Sequence, residues 1–280
     1  MIVDVAGQSV YAYTGGRPFD PARPVAVFVH GAQHDHSVWA LQSRYFAHHG
    51  FSVLAVDLPG HMRSAGPALT SIGALADWLD ALLAALEVDE AFVAGHSMGS
   101  LVALEFAARH PERAAAVALL ATAIPMVVSS ALLEAARERE PEAIALVNAW
   151  SHSTLAAKPS SPGPGFWLRG MNQRLMERVA ASGEPQLFHT DFAACNGYAD
   201  GLASAAKVRC PVRLIVGQRD MMTPPRAAGA LAKALAHAGV TVDTVTLDAG
   251  HALMAEQPDA TLDALYGFAV QHGPRIVGND

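Results

Sequence analysis

Ala91-Phe-Val-Ala-Gly95-His-Ser-Met-Gly99-Ser-Leu-Val-Ala-Leu-Glu-Phe-Ala-Ala108 is the stretch on which the fold turns. It opens with an unbroken apolar run, short enough for a strand covered on both faces, and closes with a helical pattern. Only Gly95 to Gly99 remain for the reversal between them. A turn that tight needs glycine, which takes backbone angles other residues resist and lets neighbouring segments come close. The strain lifts the central side chain above the end of the sheet, so Ser97 is presented as an accessible hydroxyl. In a chain with 23 glycines the G-x-S-x-G pattern alone is easily met by chance, and the flanking strand and helix supply most of its weight.

Outward from this stretch, further apolar runs fall at 25–29, 52–56, 116–120, 212–216 and 241–247, with helical patterns over 38–48, 98–109, 226–237 and 253–270. Strand and helix in alternation predict an α/β fold, a mostly parallel twisted sheet with helices on both faces. Ile72, Leu75, Ala76, Leu79, Leu82, Leu83 and Leu86 recur at helical spacing and mark one buried helix face. The surroundings of Tyr11 predict an antiparallel edge strand. The alternation stops over 123–206, where helices are predicted at 132–139, 142–150 and 171–181 with no strand between them. The chain therefore reads as one core domain, 1–122 with 207–280, carrying a helical insertion at 123–206. Within the insertion, Lys158-Pro-Ser-Ser-Pro-Gly-Pro-Gly165 breaks any helix and reads as a loop.

Composition narrows the function. With 280 residues, 51% of them hydrophobic and 16% charged, the chain can bury a sizeable core. A formal charge of −7 and the lack of any Lys/Arg-rich run argue against nucleic acid and anionic membranes, which need clustered cations. No apolar stretch is long enough to span a bilayer and the first residues lack a signal-peptide pattern, so a cytoplasmic location is expected. Cys195 and Cys210 have neither metal-ligand nor redox spacing and read as buried free thiols.

A serine hydroxyl is a weak nucleophile at neutral pH and needs a histidine base with a carboxylate to orient it. Of the 13 histidines, His251 in Leu247-Asp-Ala-Gly-His251 follows the last strand and precedes a helix, which places it at the strand-end edge that carries Ser97. Asp220 follows the preceding strand in the same way, with Asp248 as the alternative acid. The oxyanion of an acyl-transfer intermediate needs two backbone N–H donors. Met98, next after the nucleophile, supplies one, and Ala32, beyond the strand end Val27-Phe-Val-His-Gly31, supplies the other. His30, His34, Asp35 and His36 crowd one loop without the spacing of a metal centre, so no metal is expected there. His61 and His96 read as hydrogen-bonded structural residues.

Together, His30-Gly31, Asp57-Leu-Pro-Gly-His61, Gly95-His-Ser-Met-Gly99, Gly217-Gln-Arg-Asp220 and Gly250-His251 resemble the α/β-hydrolase superfamily over nearly the whole chain. The resemblance implies a Ser97–Asp220–His251 triad and makes 123–206 similar to the family's helical cap. The sequence departs from the family at Met62, where relatives usually carry glycine, and this reads as a turn variant. Serine at position 97 excludes the aspartate-nucleophile branches.

The implied chemistry is ester hydrolysis through an acyl-enzyme on a small-molecule substrate, with no metal or organic cofactor. A roof of apolar side chains is expected over the site, and His34, Trp150, Trp167, Met171, Phe188 and Met222 are the candidate pocket residues. Carbon–carbon bond hydrolysis of a vinylogous diketone is the alternative chemistry. Cofactor-free perhydrolysis and a non-enzymatic ligand receptor on the same fold stand behind it.

Overall fold

The computed structural model describes residues 1–153 and 167–275. The apolar runs become strands β1 (Ile2–Val5), β2 (Gln8–Tyr13), β3 (Val25–Val29), β4 (Ser52–Val56), β5 (Ala91–His96), β6 (Ala114–Leu120), β7 (Val212–Gly217) and β8 (Val242–Leu247). They form one sheet in the order β1-β2-β4-β3-β5-β6-β7-β8. The β1–β2 and β2–β4 pairs are antiparallel, and every pair from β4 to β8 is parallel. The expected strand around Tyr11 is β2. Every residue of β3 and β4 is buried, as a central parallel strand requires, whereas the edge strand β8 is largely exposed.

The helices of the core are α1 (Ala40–His48), α2 (Ile72–Ala85) and α3 (Met98–Arg109). Five more, α4 (Ser130–Glu138), α5 (Glu140–Ser151), α6 (Leu168–Ala180), α7 (Leu187–Asn196) and α8 (Gly201–Ala205), lie between β6 and β7 with no strand among the described residues. The chain finishes with α9 (Gly229–His237), α10 (Leu253–Glu256) and α11 (Pro258–His272). Side-chain alternation along β3 sorts the helices into two layers. Val27 and Val29 face a cluster with Leu75, Leu79, Leu101 and Leu231 from α2, α3 and α9. Ala26 and Phe28 face a second cluster with Phe46, Leu265 and Phe268 from α1 and α11.

Helix ends shift from expectation for local reasons. Asp35 accepts a hydrogen bond from the Ser37 amide and caps a 3-10 turn over His36–Trp39 before α1 begins. The pattern over 253–270 divides into α10 and α11 because Pro258 has no amide hydrogen to continue the first helix but suits the first turn of the next. Helices α7 and α8 lack an expectation in the sequence. In α7 a buried aspartate, Asp191, interrupts the apolar face that periodicity would detect. The proline-rich stretch at 158–165 lies outside the described residues.

The insertion is tied to the core through buried carboxylates. Glu105 on α3 accepts hydrogen bonds from Tyr198 Oη and Ser204 Oγ, each at 2.6 Å, at the insertion's C-terminal end. Glu256 on α10 accepts from the Ser153 and Gly250 amides at 3.0 and 3.2 Å, and also from Ser153 Oγ. Removing either carboxylate would leave buried donors without partners, so these contacts specify where the helices sit. Parallel register does the rest: β3, β5, β7 and β8 all end at one edge of the sheet, and all five insertion helices enter the chain just beyond β6 at that edge.

Candidate active site

Ser97 stands between β5 and α3 with φ 53° and ψ −119°, a sparsely populated positive-φ conformation that costs about 1–3 kcal/mol for a non-glycine residue. The surroundings hold it there. The Ser97 amide donates to Leu120 O at 2.9 Å, and α3 begins with the next residue. A Cβ at Gly95 would fall on the Gly99 carbonyl, and one at Gly99 on the carbonyls of Val29 and His30, so only glycine lets these segments touch. The Met98 amide is then one of the unpaired donors at the start of α3.

Asp220 lies three residues past the end of β7 and is buried. Its Oδ1 accepts the amides of Met222 and Thr223, both at 2.8 Å, and its Oδ2 accepts Thr223 Oγ1 at 2.7 Å and His251 Nδ1 at 2.8 Å. Burial alone would raise the carboxyl's pKa. The His251 charge and hydrogen bond, with those of Thr223, overcome this and hold it below the ordinary aspartate value. With Nδ1 engaged, Nε2 is the His251 nitrogen left for chemistry.

The His251 backbone is fixed as well. Its carbonyl accepts the His96 Nε2–H at 2.8 Å, and burial, helped by repulsion from His251, pushes His96 down to about 3, so this ring acts as a neutral strut. Asp248 turns away and pairs with Arg219 at the surface, 2.8 Å apart. Of the two candidate acids, Asp220 is the one in contact with the His251 ring.

Ala32 sits beyond β3 in a loop packed on the Ser97 turn. A Cβ at Gly31 would lie 3.1 Å from Ser97 Cβ and 3.3 Å from His96 Nδ1. Neither the Ala32 nor the Met98 amide donates a hydrogen bond among the described residues. His30 Nδ1–H donates to Gly31 O at 2.8 Å while its Nε2 accepts the Leu58 amide at 3.1 Å. That fixes one neutral tautomer, and burial with the nearby His61 holds the pKa well below the usual value. His34 lies between two acceptors, Ala32 O at 2.7 Å and Asn172 Oδ1 at 2.9 Å. Burial lowers its pKa, so the neutral ring donates to one of them at a time.

Ser97, Ala32 and His251 line one cavity of about 220 Å³. Serine and imidazole meet across this space rather than through a hydrogen bond among the described residues, a looseness common before substrate binds. Two of the candidate pocket residues, Trp150 and Met222, line it together with Met126, Leu132, Phe192, Cys195, Met221 and Thr223. A second cavity of about 770 Å³ is lined by His34, His96, Trp167, Met171, Asn172 and Arg178 among others. Three expected pocket residues, His34, Trp167 and Met171, thus belong to this larger space.

Phe188 lines neither cavity. It is fully buried against Phe192, one helical turn further on, with ring centroids 4.4 Å apart, and Phe192 takes the cavity-facing place. Thr223 was missed by sequence reasoning, although Asp-x-x-Thr after a strand is a recognisable turn signal in which the aspartate accepts nearby donors. Cys195 and Cys210 are free and buried, and burial pushes both thiols far above their usual pKa, Cys210 to about 12.

The crowded histidine loop gives a hydrogen-bond network. Asp35, His36 and Asp57 bring possible ligand atoms within 4.8 Å of one another. Asp57 Oδ1 is already taken by the His36 amide and Nδ1, and Asp35 by Ser37 and by Arg178 of α6 at 2.8 Å. Met62 has φ 45°, a left-handed angle that glycine adopts without strain. The turn is therefore made here with a strained backbone at a residue that carries a side chain.

Among the described residues no helix is long and apolar enough to cross a membrane. Comparison with known proteins agrees with the fold. The pimeloyl-[acyl-carrier protein] methyl ester esterase of Chromobacterium violaceum is 33% identical over 227 residues, covering 76% of this chain and 82% of its own. The (E)-2-((N-methylformamido)methylene)succinate hydrolase of Acinetobacter baylyi is 25% identical over 202 residues, 69% of this chain and 72% of its own. The solved enol-lactonase from Burkholderia xenovorans superposes with a TM-score of 0.80 at 25% identity, covering 96% of this chain and 99% of its own. Residues 26–264 match the model of the Alpha/beta hydrolase family, and with that match spanning most of its length the chain belongs to the alpha/beta hydrolase family.

Proposed function

We propose that this chain is a serine hydrolase that cleaves a carboxylic ester by acyl transfer, with Ser97 as nucleophile, His251 as general base and acid, and Asp220 as orienting carboxylate. The observation that carries the reading is the 2.8 Å hydrogen bond from His251 Nδ1 to Asp220 Oδ2 beside a cavity shared by His251, Ser97 and Ala32. Esterase, lactonase and hydrolase relatives support the same class.

In this mechanism His251 Nε2 takes the Ser97 hydroxyl proton as Oγ attacks the substrate carbonyl, and Asp220 stabilises the imidazolium that forms. The negative oxygen of the tetrahedral intermediate is received by the Ala32 and Met98 amides. His251 then returns its proton to the leaving alcohol as the acyl–oxygen bond breaks. Water, deprotonated by the same ring, attacks the acyl-enzyme, and the serine regains its proton as the acid leaves.

Residues 123–206 act as the cap over this site. A lining of Met126, Leu132, Trp150, Phe192 and Met222 favours an apolar acyl group. At about 220 Å³ the cavity is smaller than the roughly 300–1,000 Å³ usual for drug-sized ligands, which points to a small or medium one. Two free, buried thiols fit a reducing compartment, the cytoplasm.

The test is a panel of aryl esters of graded acyl length, lactones and a ring-cleavage dienoate, offered to wild type and Ser97→Ala. Ester turnover should peak at short to medium acyl chains. Ser97→Ala should lower kcat by roughly 10⁴-fold or more while the protein stays folded. Unchanged hydrolysis in that variant would overturn the mechanism, and a strong preference for the dienoate would replace ester with carbon–carbon cleavage.

A further inference from the structure

The loop that carries Ala32 contains two successive peptide groups whose polar atoms are accounted for in different ways. In the Gly31–Ala32 group the carbonyl accepts His30 Nδ1–H at 2.8 Å, which leaves the Ala32 amide as the one polar atom without a partner. In the Ala32–Gln33 group the carbonyl lies 2.7 Å from His34 Nδ1, and the Gln33 amide donates to Asp191 Oδ2 at 2.9 Å. Asp191 belongs to α7, 158 residues further along the chain.

Gln33 cannot hold this arrangement alone. It has φ 57°, which costs about 1–2 kcal/mol for a residue with a Cβ, and it is fully buried. Its anchoring contacts come from the insertion: Asp191 of α7 for the amide, Glu140 of α5 at 3.0 Å and Met176 O of α6 at 3.4 Å for the side-chain Nε2. Asp191 is itself buried and would be costly as an unpaired charge. His61 Nε2 lies 3.0 Å from the same Oδ2, and the other His61 nitrogen is 3.1 Å from Pro59 O. Both His61 nitrogens face acceptors, as a protonated ring requires. Burial lowers the His61 pKa, but the Asp191 charge and hydrogen bond outweigh it and leave the pKa above the ordinary value.

We infer that Asp191 is a positioning residue for the oxyanion-binding amide of Ala32: by fixing the Ala32–Gln33 peptide plane from α7, it makes the oxyanion site complete only when the insertion is seated. This rests on the acyl-transfer reading above, with Ala32 as a donor. Without an acceptor at 191, Gln33 can relax from its left-handed angle, the Ala32–Gln33 peptide group turns with it, and the Gly31–Ala32 group, joined to it at Ala32 Cα, shifts in turn. The Ala32 amide then no longer points where charge develops, while the cavity that receives the acyl group is left in place.

The test compares wild type with Asp191→Ala, Asp191→Asn and the double variant His61→Leu/Asp191→Leu. The double variant replaces a buried ion pair with apolar groups of similar volume, an exchange that is often neutral for stability, yet offers Gln33 no acceptor. The measurements are kcat, KM, and affinity for an aryl trifluoromethyl ketone, which forms a tetrahedral oxyanion with the serine, against the matching secondary alcohol, which does not. Asp191→Ala and the double variant should lose roughly 10- to 100-fold in kcat and in ketone affinity, short of the full loss of an oxyanion donor, with KM and alcohol affinity within about 3-fold. Asp191→Asn keeps an acceptor oxygen and should recover to within about 5-fold of wild type.

A folded double variant with kcat and ketone affinity within about twofold of wild type would overturn the inference. So would equal losses for ketone and alcohol, which mark general damage to the pocket. If wild type is not inhibited by the ketone, or Ser97→Ala still turns over, the acyl-transfer reading fails and takes this inference with it; if wild type behaves and only the position 191 variants match it, the positioning role alone fails.

Discussion

The loop at Gly95–Gly99 and the loop at His30–Asp35 pack against each other beside Ser97, and they reach their conformations by different routes. The first is set mainly by the core: a strand before it, a helix after it, glycines at both ends that let it pack on β3, and the Ser97 amide donating to Leu120 O of β6. The second is held by remote residues, Leu58 and Asn172 through histidines, and Asp191, Glu140 and Met176 through Gln33. The Ser97 turn is therefore set by the core of the sheet. A loop held partly by the insertion can instead respond to how the insertion sits.

The contrast breaks most visibly at the glycines. In Gly99→Ala the added Cβ would meet the Val29 and His30 carbonyls, backbone atoms of a central strand end that cannot give way. A loss of roughly 3 kcal/mol or more is expected, seen as a fall in Tm of about 6–12 °C or as failure to fold. In Gly31→Ala the new Cβ would meet Ser97 Cβ at 3.1 Å and both His96 Nδ1 and the His96 carbonyl at 3.3 Å, contacts that a shift of a few tenths of an ångström relieves. Thermal unfolding should show a smaller loss there, about 1 kcal/mol, with activity falling disproportionately. Equal Tm losses in the two variants would erase the distinction.

Thr223→Val sharpens it at the acid. The variant keeps both amide donors to Asp220 but removes the hydroxyl at 2.7 Å, so kcat/KM should fall roughly 3- to 30-fold. The pH dependence follows from the sign of the Asp220 shift. Its folded pKa lies below the unfolded value near 4, so it adds stability above about pH 4 that disappears as pH falls through the folded pKa. The variant brings the two values closer together and should lose about 1–2 kcal/mol of that contribution at neutral pH, with less difference from wild type in strong acid. Denaturant unfolding of both proteins at pH 3 and pH 7 checks the sign, and a deficit larger at pH 3 would contradict it.

The smallest effect is expected at Met62, whose left-handed angle glycine adopts without strain. Met62→Gly should raise stability by about 0.5–1 kcal/mol, or 1–4 °C in Tm, with kcat unchanged. A drop in Tm would show that the half-buried methionine side chain contributes more packing than its backbone costs.

The parts legible in the sequence share one property. Strand β5, the turn and α3 are contiguous, and their apolar patterns and glycines report directly on burial and backbone angle. Asp220 and His251 were legible because parallel strands end at one edge, so a residue just past a strand is placed by topology alone. Helix α7 was not, since a buried Asp191 breaks its apolar face, and the pocket was only partly so. Phe188 and Phe192 are one turn apart on α7, and only the packing of that helix decides which one reaches the cavity.

Periodicity and turn chemistry in the chain itself determined an α/β sheet, the strained serine turn and the edge at which the candidate residues gather, because each depends on short-range sterics and on which faces must be buried. Tertiary structure alone decided that Gln33 leans on Asp191, that His96 braces His251 and that Asp248 faces outward to Arg219. Those choices join residues 29 to 158 positions apart, and buried polar atoms select their partners by distance and desolvation rather than by any spacing along the chain.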